Sequence, residues 1–534
     1  MITHEHDTST PSTGSRIFLR TFLRRDRWIL LAWGVGATLL YYSQAASVAD
    51  LYATQAEFDR AAAAMQHNAA FIAMAGPPRA LNTIGGQVTW QATAFGAIVA
   101  GLMSMFLVGR HTRAEEESGR DELVRAAAVG RYAPMTAALV TALVANLLLG
   151  VLVALSLVAF PLAAVDSVAL GVGLTLCGWV YTGTALFAAQ LTSSTRAMYG
   201  IAGAFIGLTY ALRAVGDVGN PVLTWLSPIG WYQGMHAFSG VRWWPLLLLL
   251  AAAAAATAAA YAVFARRDFG SGVLADRPGP ARAGPGLGSG LGLAWRLQRG
   301  SVVGWVVGLF FLGVAYGSIG DDVGELVGDS GATREMLAQG GAGLVEGFYA
   351  TALLMLALVA CGFAISSALR PRGEEDAGRV ETLLATALPR GRWLLGHTAV
   401  TMLGVLLVLA AAGLGLGLGY VLVTGDRDAL WRLSLPILGY VAPVLVLVSV
   451  AHMLFGLVPR AATLAWLPLV LAAVVMLFGE VLRLPQWVQD LSPFEHLALV
   501  PAQDFRWAPF LAVLLAAACL GVAGQVAFRR RDIH

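Results

Sequence analysis

The sequence predicts an all-α polytopic membrane protein of twelve transmembrane helices, arranged as two parallel six-helix repeats. Three observations carry that prediction. Of 534 residues, 57% are hydrophobic and 13% charged, with a mean hydropathy of +0.69; soluble domains carry about 25% charged residues. Apolar runs long enough to cross a bilayer, which takes about 20 residues, occur twelve times. Finally, the charged block HTRAEEESGRDELVRAAAVGR, His111 to Arg131, is written a second time as RPRGEEDAGRVETLLATALPR, Arg370 to Arg390.

Residues 1–27 read as a cytoplasmic N-terminus. Arg16, Arg20, Arg24 and Arg27 share one helical face and Phe18 and Phe22 lie opposite, the pattern of an amphipathic helix in the membrane interface; a plain basic flank that sets topology is the alternative. Arginines followed by an apolar run and SQAAS (Ser43 to Ser47) imitate a secretory signal. The long polar lead and the full-length apolar run favour a retained first helix instead. The first half, 28–268, holds spans near 28–48, 87–109, 133–161, 167–192, 197–216 and 243–265. Residues 269–298 contain GSGVLADRPGPARAGPGLGSGLGL, whose Gly and Pro content marks a cytoplasmic linker. The second half, 299–534, holds spans near 302–320, 347–369, 393–423, 431–458, 461–482 and 508–528.

Arginine placement orients the spans. The groups Arg16 to Arg27, Arg110 to Arg131, Arg266 to Arg299, Arg370 to Arg392 and Arg529 to Arg531 fall on one side. Fewer arginines, among them Arg60, Arg79, Arg213 and Arg242, fall at the other side beside acids such as Asp50, Glu57 and Asp59. The majority places both termini in the cytoplasm.

The halves align without gaps through the charged block at an offset of 259 residues, with Arg113/Arg372, Glu115/Glu374, Glu116/Glu375, Gly119/Gly378, Arg120/Arg379, Glu122/Glu381 and Arg131/Arg390 as identical pairs. At an offset of 264, FARRD (Phe264 to Asp268) meets FRRRD (Phe528 to Asp532). Parallel repeats imply a two-fold axis along the membrane normal, and a substrate path is expected to follow it. In the second block Leu383, Leu384, Ala387 and Leu388 form an apolar stripe flanked by Arg379 and Glu381 and ended by Pro389, which predicts a short amphipathic helix on the cytoplasmic face. One such helix could float at the headgroups. Two copies in register point to a docking element for a repeated partner.

Composition also excludes functions. All 35 basic residues are arginine, the net charge is +3, and no basic patch is interleaved with aromatics, so nucleic acid is not an expected partner. Cys177, Cys361 and Cys519 lie far apart in apolar runs, and the nine histidines form no H-x-x-x-H pattern; neither a disulfide framework nor a metal site is expected. A Walker A loop needs a lysine at the nucleotide phosphates, and the chain has none. It cannot be its own conventional ATPase.

The element E-x-G-R-x-E (Glu117 to Glu122), repeated as D-x-G-R-x-E (Asp376 to Glu381), resembles the coupling-helix motif of ABC-2 type exporter permeases. It departs from the common family pattern at Arg120 and Arg379, where relatives often carry Thr. The nearest likeness is to the fused twelve-span permeases of the polyketide-antibiotic (tetronasin-resistance) type, through LSPIGWYQGMHAFSGVRWWPLLLL (Leu226 to Leu249) and ARRDFGSG (Ala265 to Gly272). The resemblance implies the ABC-2 exporter fold and a permease subunit, not itself an enzyme, of an ATP-driven exporter in a bacterial plasma membrane. It would extrude amphipathic drugs or antibiotics by alternating access. Two copies of a separate ATPase subunit would bind ATP and Mg; this chain would need no cofactor. The docking surface would comprise Glu115, Glu116, Glu117, Gly119, Arg120, Glu122 and Leu123 in the first half. Its counterpart would be Glu374, Glu375, Asp376, Gly378, Arg379, Glu381, Leu383 and Leu384, with the leucines filling a groove in the partner.

The family places its cavity on the second and fifth spans of each half. That implies Trp90, Gln91, Phe95, Phe205 and Tyr210 in the first half, and Phe348, Tyr349, Met355, Trp466 and Met476 in the second. Aromatics and Met give broad apolar contact; helix packing and interface belts use the same residues. His452, an ionisable residue within a span, is a candidate by position. The alternative function is a proton-coupled secondary drug transporter of the major facilitator kind, which also has twelve spans in parallel halves. Against it stand the helix-length charged blocks and the lack of central carboxylates. A membrane-bound enzyme would want clustered His, Asp or Glu, of which His236 and His496 near the two LSP segments are the only hint.

Overall fold

The computed structural model describes residues 12–51, 54–65, 69–120, 129–268, 270–274, 281–318, 344–478 and 485–532. The described residues are helical throughout their regular structure, and twelve helices are long and apolar enough to cross a membrane. Glu122, Leu123 and Val124, and most of the loop between the seventh and eighth spans, lie outside them.

Two compact units divide the chain, Met1–Gly279 and Pro280–His534. In the first, the spanning helices are α1 (Ser15–Leu51), α2 (Ile84–His111), α3 (Ala133–Ala159), α4 (Ala164–Leu191), α5 (Thr195–Val218) and α6 (Pro245–Arg266). In the second they are α7 (Gly290–Gly317), α8 (Leu344–Ala368), α9 (Arg390–Thr424), α10 (Val441–Leu457, the main part of the span Ala429–Leu457), α11 (Leu467–Phe478, which with the 3-10 segment Pro459–Trp466 makes the eleventh span) and α12 (Trp507–Arg530). The division falls inside the Gly/Pro-rich stretch, whose last residues already belong to α7, begun by Ser289 accepting from the Gly292 amide. Elsewhere the starts are set by similar local chemistry. Thr83 and Ser194 accept from the Gly86 and Ala197 amides, satisfying donors that no helical carbonyl can reach, and Pro134 and Pro245 sit in first turns where an N–H is not needed.

Each unit encloses its second span most and its sixth span least. In unit 1, α2 and α4 fill the centre through Val88, Ala97, Met103, Leu174, Cys177 and Leu186. In unit 2, α8, α9 and α10 do so through Leu353, Phe363, Val408 and Leu447. Without a hydrophobic drive between helices in lipid, close packing and interhelical polar contacts hold such bundles. Both are present. Asn146 of α3 donates to Ser104 of α2 at 2.8 Å, and Ser104 donates to the Gly178 carbonyl of α4 at 3.1 Å. In unit 2, Gly456 of α10 lies against the Gly524 backbone of α12, so closely that a side chain there would strike its carbonyl.

The basic segment before the first span is not a separate interfacial helix, because Ser15–Leu51 is one continuous helix. Phe18 and Phe22, offered by the sequence as a lipid face, pack with Leu19 on Ala137 and Ala138 of α3, and Phe22 stacks on the His111 ring at 3.9 Å. Below that stack the buried Asp26 carboxylate meets His111 and, at 3.4 Å, Arg110. Unit 2 uses an uncharged arrangement: Gln298 of α7 accepts from Ser367 and meets His397 Nδ1 at 3.2 Å.

Opposite the charged end of unit 1, the LSP segment caps the bundle. Ser227 donates to the Thr209 carbonyl at 2.7 Å and starts the short helix Pro228–Gln233, and Tyr232 reaches Leu170 O at 3.0 Å. The preceding loop, with helices Gln55–Met65 and Ala69–Ala75, is tied down by Arg213, which donates to Met74 O at 2.9 Å.

Candidate coupling surfaces at the charged end of each unit

The charged block of each unit begins where the second span ends. In unit 1, α2 passes at Thr112 into the short helix Arg113–Glu117, and in unit 2, α8 passes at Leu369 into Arg370–Asp376. Both then turn at a glycine in the left-handed region, Gly119 at φ +71° and Gly378 at φ +69°. A side chain at this φ is strained, and open space surrounds both glycines; the backbone conformation, not crowding, accounts for the residue. In unit 2 the turn leads into the helix Arg379–Leu384. The equivalent residues 121–128 of unit 1 lie outside the described residues.

The ion pairs repeat with the sequence. Arg379 donates to Glu374 at 2.6 Å, and Arg120 faces Glu115 at 3.8 Å. The Glu374 carboxylate holds the Arg379 guanidinium above its ordinary pKa. Arg531 donates to Glu375 at 2.6 Å, as Arg267 donates to Glu116 at 2.7 Å. Arg390 reaches Arg531 O and Arg131 reaches Arg267 O, both at 2.9 Å.

Most acids expected at a docking rim are therefore engaged within the chain. Glu115 accepts from Arg25 at 2.6 Å. Glu116 accepts from Arg113 as well as Arg267, both at 2.7 Å, and Glu117 accepts from the Thr195 amide at 2.9 Å. Glu374 is buried under Arg370 and Arg379, while Asp376 remains exposed and meets Arg372 at 3.4 Å. Leu383 and Leu384 lie half-buried on the chain's own cluster of Val380, Trp393, Phe455 and Phe528. The second turn leaves Arg379, Glu381, Thr382 and Thr386 exposed, together with Ala385 and Ala387. In unit 1, Arg120 and Glu117 are exposed, and Glu115, Arg120 and Arg25 line a groove of about 190 Å³ beside Phe22 and Phe264.

The residues expected on the substrate path divide between the two units. Trp90 is buried and donates to Gly76 O at 2.7 Å; among them it alone lines a cavity of about 30 Å³ with Arg79, Gln233 and His236. Gln91 pairs with Gln44, Phe95 faces outward, and Phe205 packs edge-on to Tyr181. Tyr210 donates to Met74 O at 3.0 Å and lies 4.5 Å beneath Arg213. In unit 2, Tyr349 is buried, edge-on to Phe348, and donates to Gly317 O at 3.2 Å. Met355 accepts from Tyr316 at 3.6 Å, Met476 is half-buried, and Trp466 is exposed on the 3-10 segment before α11. His452 is buried in α10 where the Gly524 backbone approaches. No group of three or more His, Cys, Asp or Glu among the described residues could hold a metal.

Sequence reasoning passed over Arg267, Arg531 and Asp26 as site residues. The first two carried a signal, the coincidence of FARRD and FRRRD. Asp26 carried none, since one acid among five arginines reads as part of a solvated flank.

Comparison with known proteins agrees with this architecture. Residues 287–529 match a family model described as the C-terminal domain of the multidrug efflux system permease Rv1217c. The whole chain is similar to the multidrug efflux system permease protein Rv1217c of Mycobacterium tuberculosis (strain ATCC 25618 / H37Rv). The two are 40% identical over 530 residues, which cover 98% of this chain and 96% of that protein.

Proposed function

The chain belongs to the multidrug efflux permease family represented by that mycobacterial protein, and on that premise we propose that it is the membrane path of an ATP-driven ABC exporter of amphipathic drugs or polyketide-type antibiotics. A separate ATPase, in two copies that bind ATP and Mg, docks under the two charged turns. The chain sits multi-pass in a bacterial plasma membrane with both termini cytoplasmic, on the side its arginine clusters favour. Export proceeds by alternating access.

The observation that carries this reading is the duplicated turn. Two units present the same left-handed glycine, the same Arg–Glu closure and the same tie to the last span. A duplicated surface of that detail suits a partner that comes in two copies. Its outward residues include Arg379, Glu381, Thr382 and Thr386, groups suited to the polar rim of an interface. With Leu383 and Leu384 held by the chain's own core, docking rests on Arg379, Glu381 and their first-half equivalents Arg120 and Glu122 rather than on leucines entering a groove. Lacking lysine, the chain leaves hydrolysis to its partner.

The test is charge reversal at the glutamates repeated in the two charged blocks. In the double variant Glu122→Arg/Glu381→Arg, the permease should purify in normal yield while drug-stimulated ATP hydrolysis by the complex is lost. Unchanged stimulation in the well-folded variant would remove the docking reading.

A further inference from the structure

The arginine one residue past the last span of each unit joins that span to the charged turn. We propose that Arg267 and Arg531 are transmission residues: each carries displacement of the charged turn into the sixth span of its unit. This rests on the reading of the turns as ATPase contacts.

The two sites are built alike from separate stretches of sequence. Arg267 follows α6 and Arg531 follows α12, each with its amide bonded back into the helix, to Val263 O and Ala527 O at 3.1 Å. Their side chains are 3% and 13% exposed. Each guanidinium lies over a phenylalanine of its own helix, 5.1 Å from Phe264 and 5.4 Å from Phe528, and donates to the second acid of the turn, Glu116 or Glu375. Each main-chain carbonyl is held by a further arginine from the start of the third span, Arg131 or Arg390. The second, third and sixth spans of one unit thus meet at one residue.

Stability alone does not call for this. A buried ion pair contributes little net stability against apolar side chains of the same volume, and one break of the pair would suffice to lose it. A pair that fixes position is different. The planar guanidinium, seated over a phenylalanine of its own helix, directs one short bond to the carboxylate, so displacement of the turn pulls on the end of the sixth span.

The two latches differ in their surroundings: Arg267 also donates to Gln190 Oε1 at 2.8 Å and to Ser271 O at 2.7 Å, whereas Arg531 also lies over Phe455 at 5.0 Å. Glu116 also accepts from Arg113, which is anchored to Ala189 O at 2.6 Å and Ser271 O at 2.9 Å. With Arg267 removed, Arg113 still holds the turn of unit 1. In unit 2 the equivalent arginine, Arg372, is directed to Asp376 instead. Loss of Arg531 should therefore weaken coupling more than loss of Arg267.

The experiment uses the full permease with its ATPase in lipid vesicles, reading drug moved per ATP hydrolysed. Wild type is the control for the underlying reading: no ATP-dependent movement there overturns the assigned function and leaves the latch to a second readout. That readout is the distance between spin labels on the turn of unit 2 and the end of α12, with and without drug. Arg531→Gln should lower drug moved per ATP by about fivefold or more, the low end of allosteric coupling, and broaden the label distance. Arg267→Gln should lower it less, and the exchange Glu375→Arg/Arg531→Glu should restore at least part of the ratio. An unchanged ratio in Arg531→Gln, or an exchange that recovers thermal stability without recovering the ratio, overturns the proposal. So does an unchanged label distance.

Discussion

The Arg379 guanidinium donates to the Glu374 carboxylate at 2.6 Å across a turn whose pivot, Gly378, has φ +69°. The same closure recurs, more loosely, between Arg120 and Glu115 around Gly119. The turn is thus a defined shape held by a salt bridge and a backbone conformation, not a flexible connection.

Replacing the pivot tests that shape. Gly378→Ala meets no neighbour, so its cost is the left-handed backbone alone, roughly 1 kcal/mol. The expected outcome is a permease of near-normal thermal stability whose drug-stimulated export falls several-fold. Gly378→Asn, which tolerates this region better, should retain more. Equal loss in both variants would mean that something other than φ is at stake.

Asp26 is buried between His111 and Arg110. Asp26→Ala leaves both basic groups without their carboxylate and removes the anchor of the N-terminal part of α1, a change that costs on the order of 3 kcal/mol. Gln298→Ala in unit 2 removes neutral hydrogen bonds and should cost only about 1 kcal/mol. Thermal unfolding in detergent, followed by size-exclusion chromatography, should rank the two variants in that order.

His236 predicts a pH effect outside the spans. Burial, then the nearby Arg79 and Arg242, lower its pKa from 6.5 to about 4. The folded protein then binds fewer protons than the unfolded chain between those values. Stability is complete above about 6.5 and is lost as pH falls toward 4. Thermal midpoints should therefore decline on acidification through that window, and decline less in His236→Gln. Parallel curves for the two proteins would contradict this.

Much of the fold was legible because bilayer physics writes it plainly: twelve apolar runs, a repeat offset and arginine flanks find the spans, although α1 and α7 begin about three turns before their apolar runs. The charged turns were legible as a repeated structure for the same reason, since acids and arginines kept in register inside a membrane sequence need a cause. Their chemistry was less so. Glu116 and Glu375 read as rim charges, yet they are engaged by Arg267 and Arg531, some 150 residues away in sequence, and no local pattern records such a pairing. Leu383 and Leu384 read as filling a partner's groove because an amphipathic stripe does not say what covers it; a cluster of the same chain that includes Val380, Trp393, Phe455 and Phe528 covers part of them. Phe18 and Phe22 were misplaced at the lipid interface by the same ambiguity, α3 and His111 being their true neighbours. Among the path residues, Tyr210 and Trp90 bond to the loop at Met74 and Gly76, contacts that aromatic composition cannot distinguish from a cavity wall.

The central claim is that ATP bound by a partner drives this permease. The most direct measurement is drug uptake into inside-out vesicles that contain the permease and its ATPase, with ATP present and the proton gradient dissipated by an ionophore. The account predicts uptake that requires ATP, survives the ionophore and disappears in Glu122→Arg/Glu381→Arg. Uptake that proceeds without ATP and collapses with the proton gradient would contradict it.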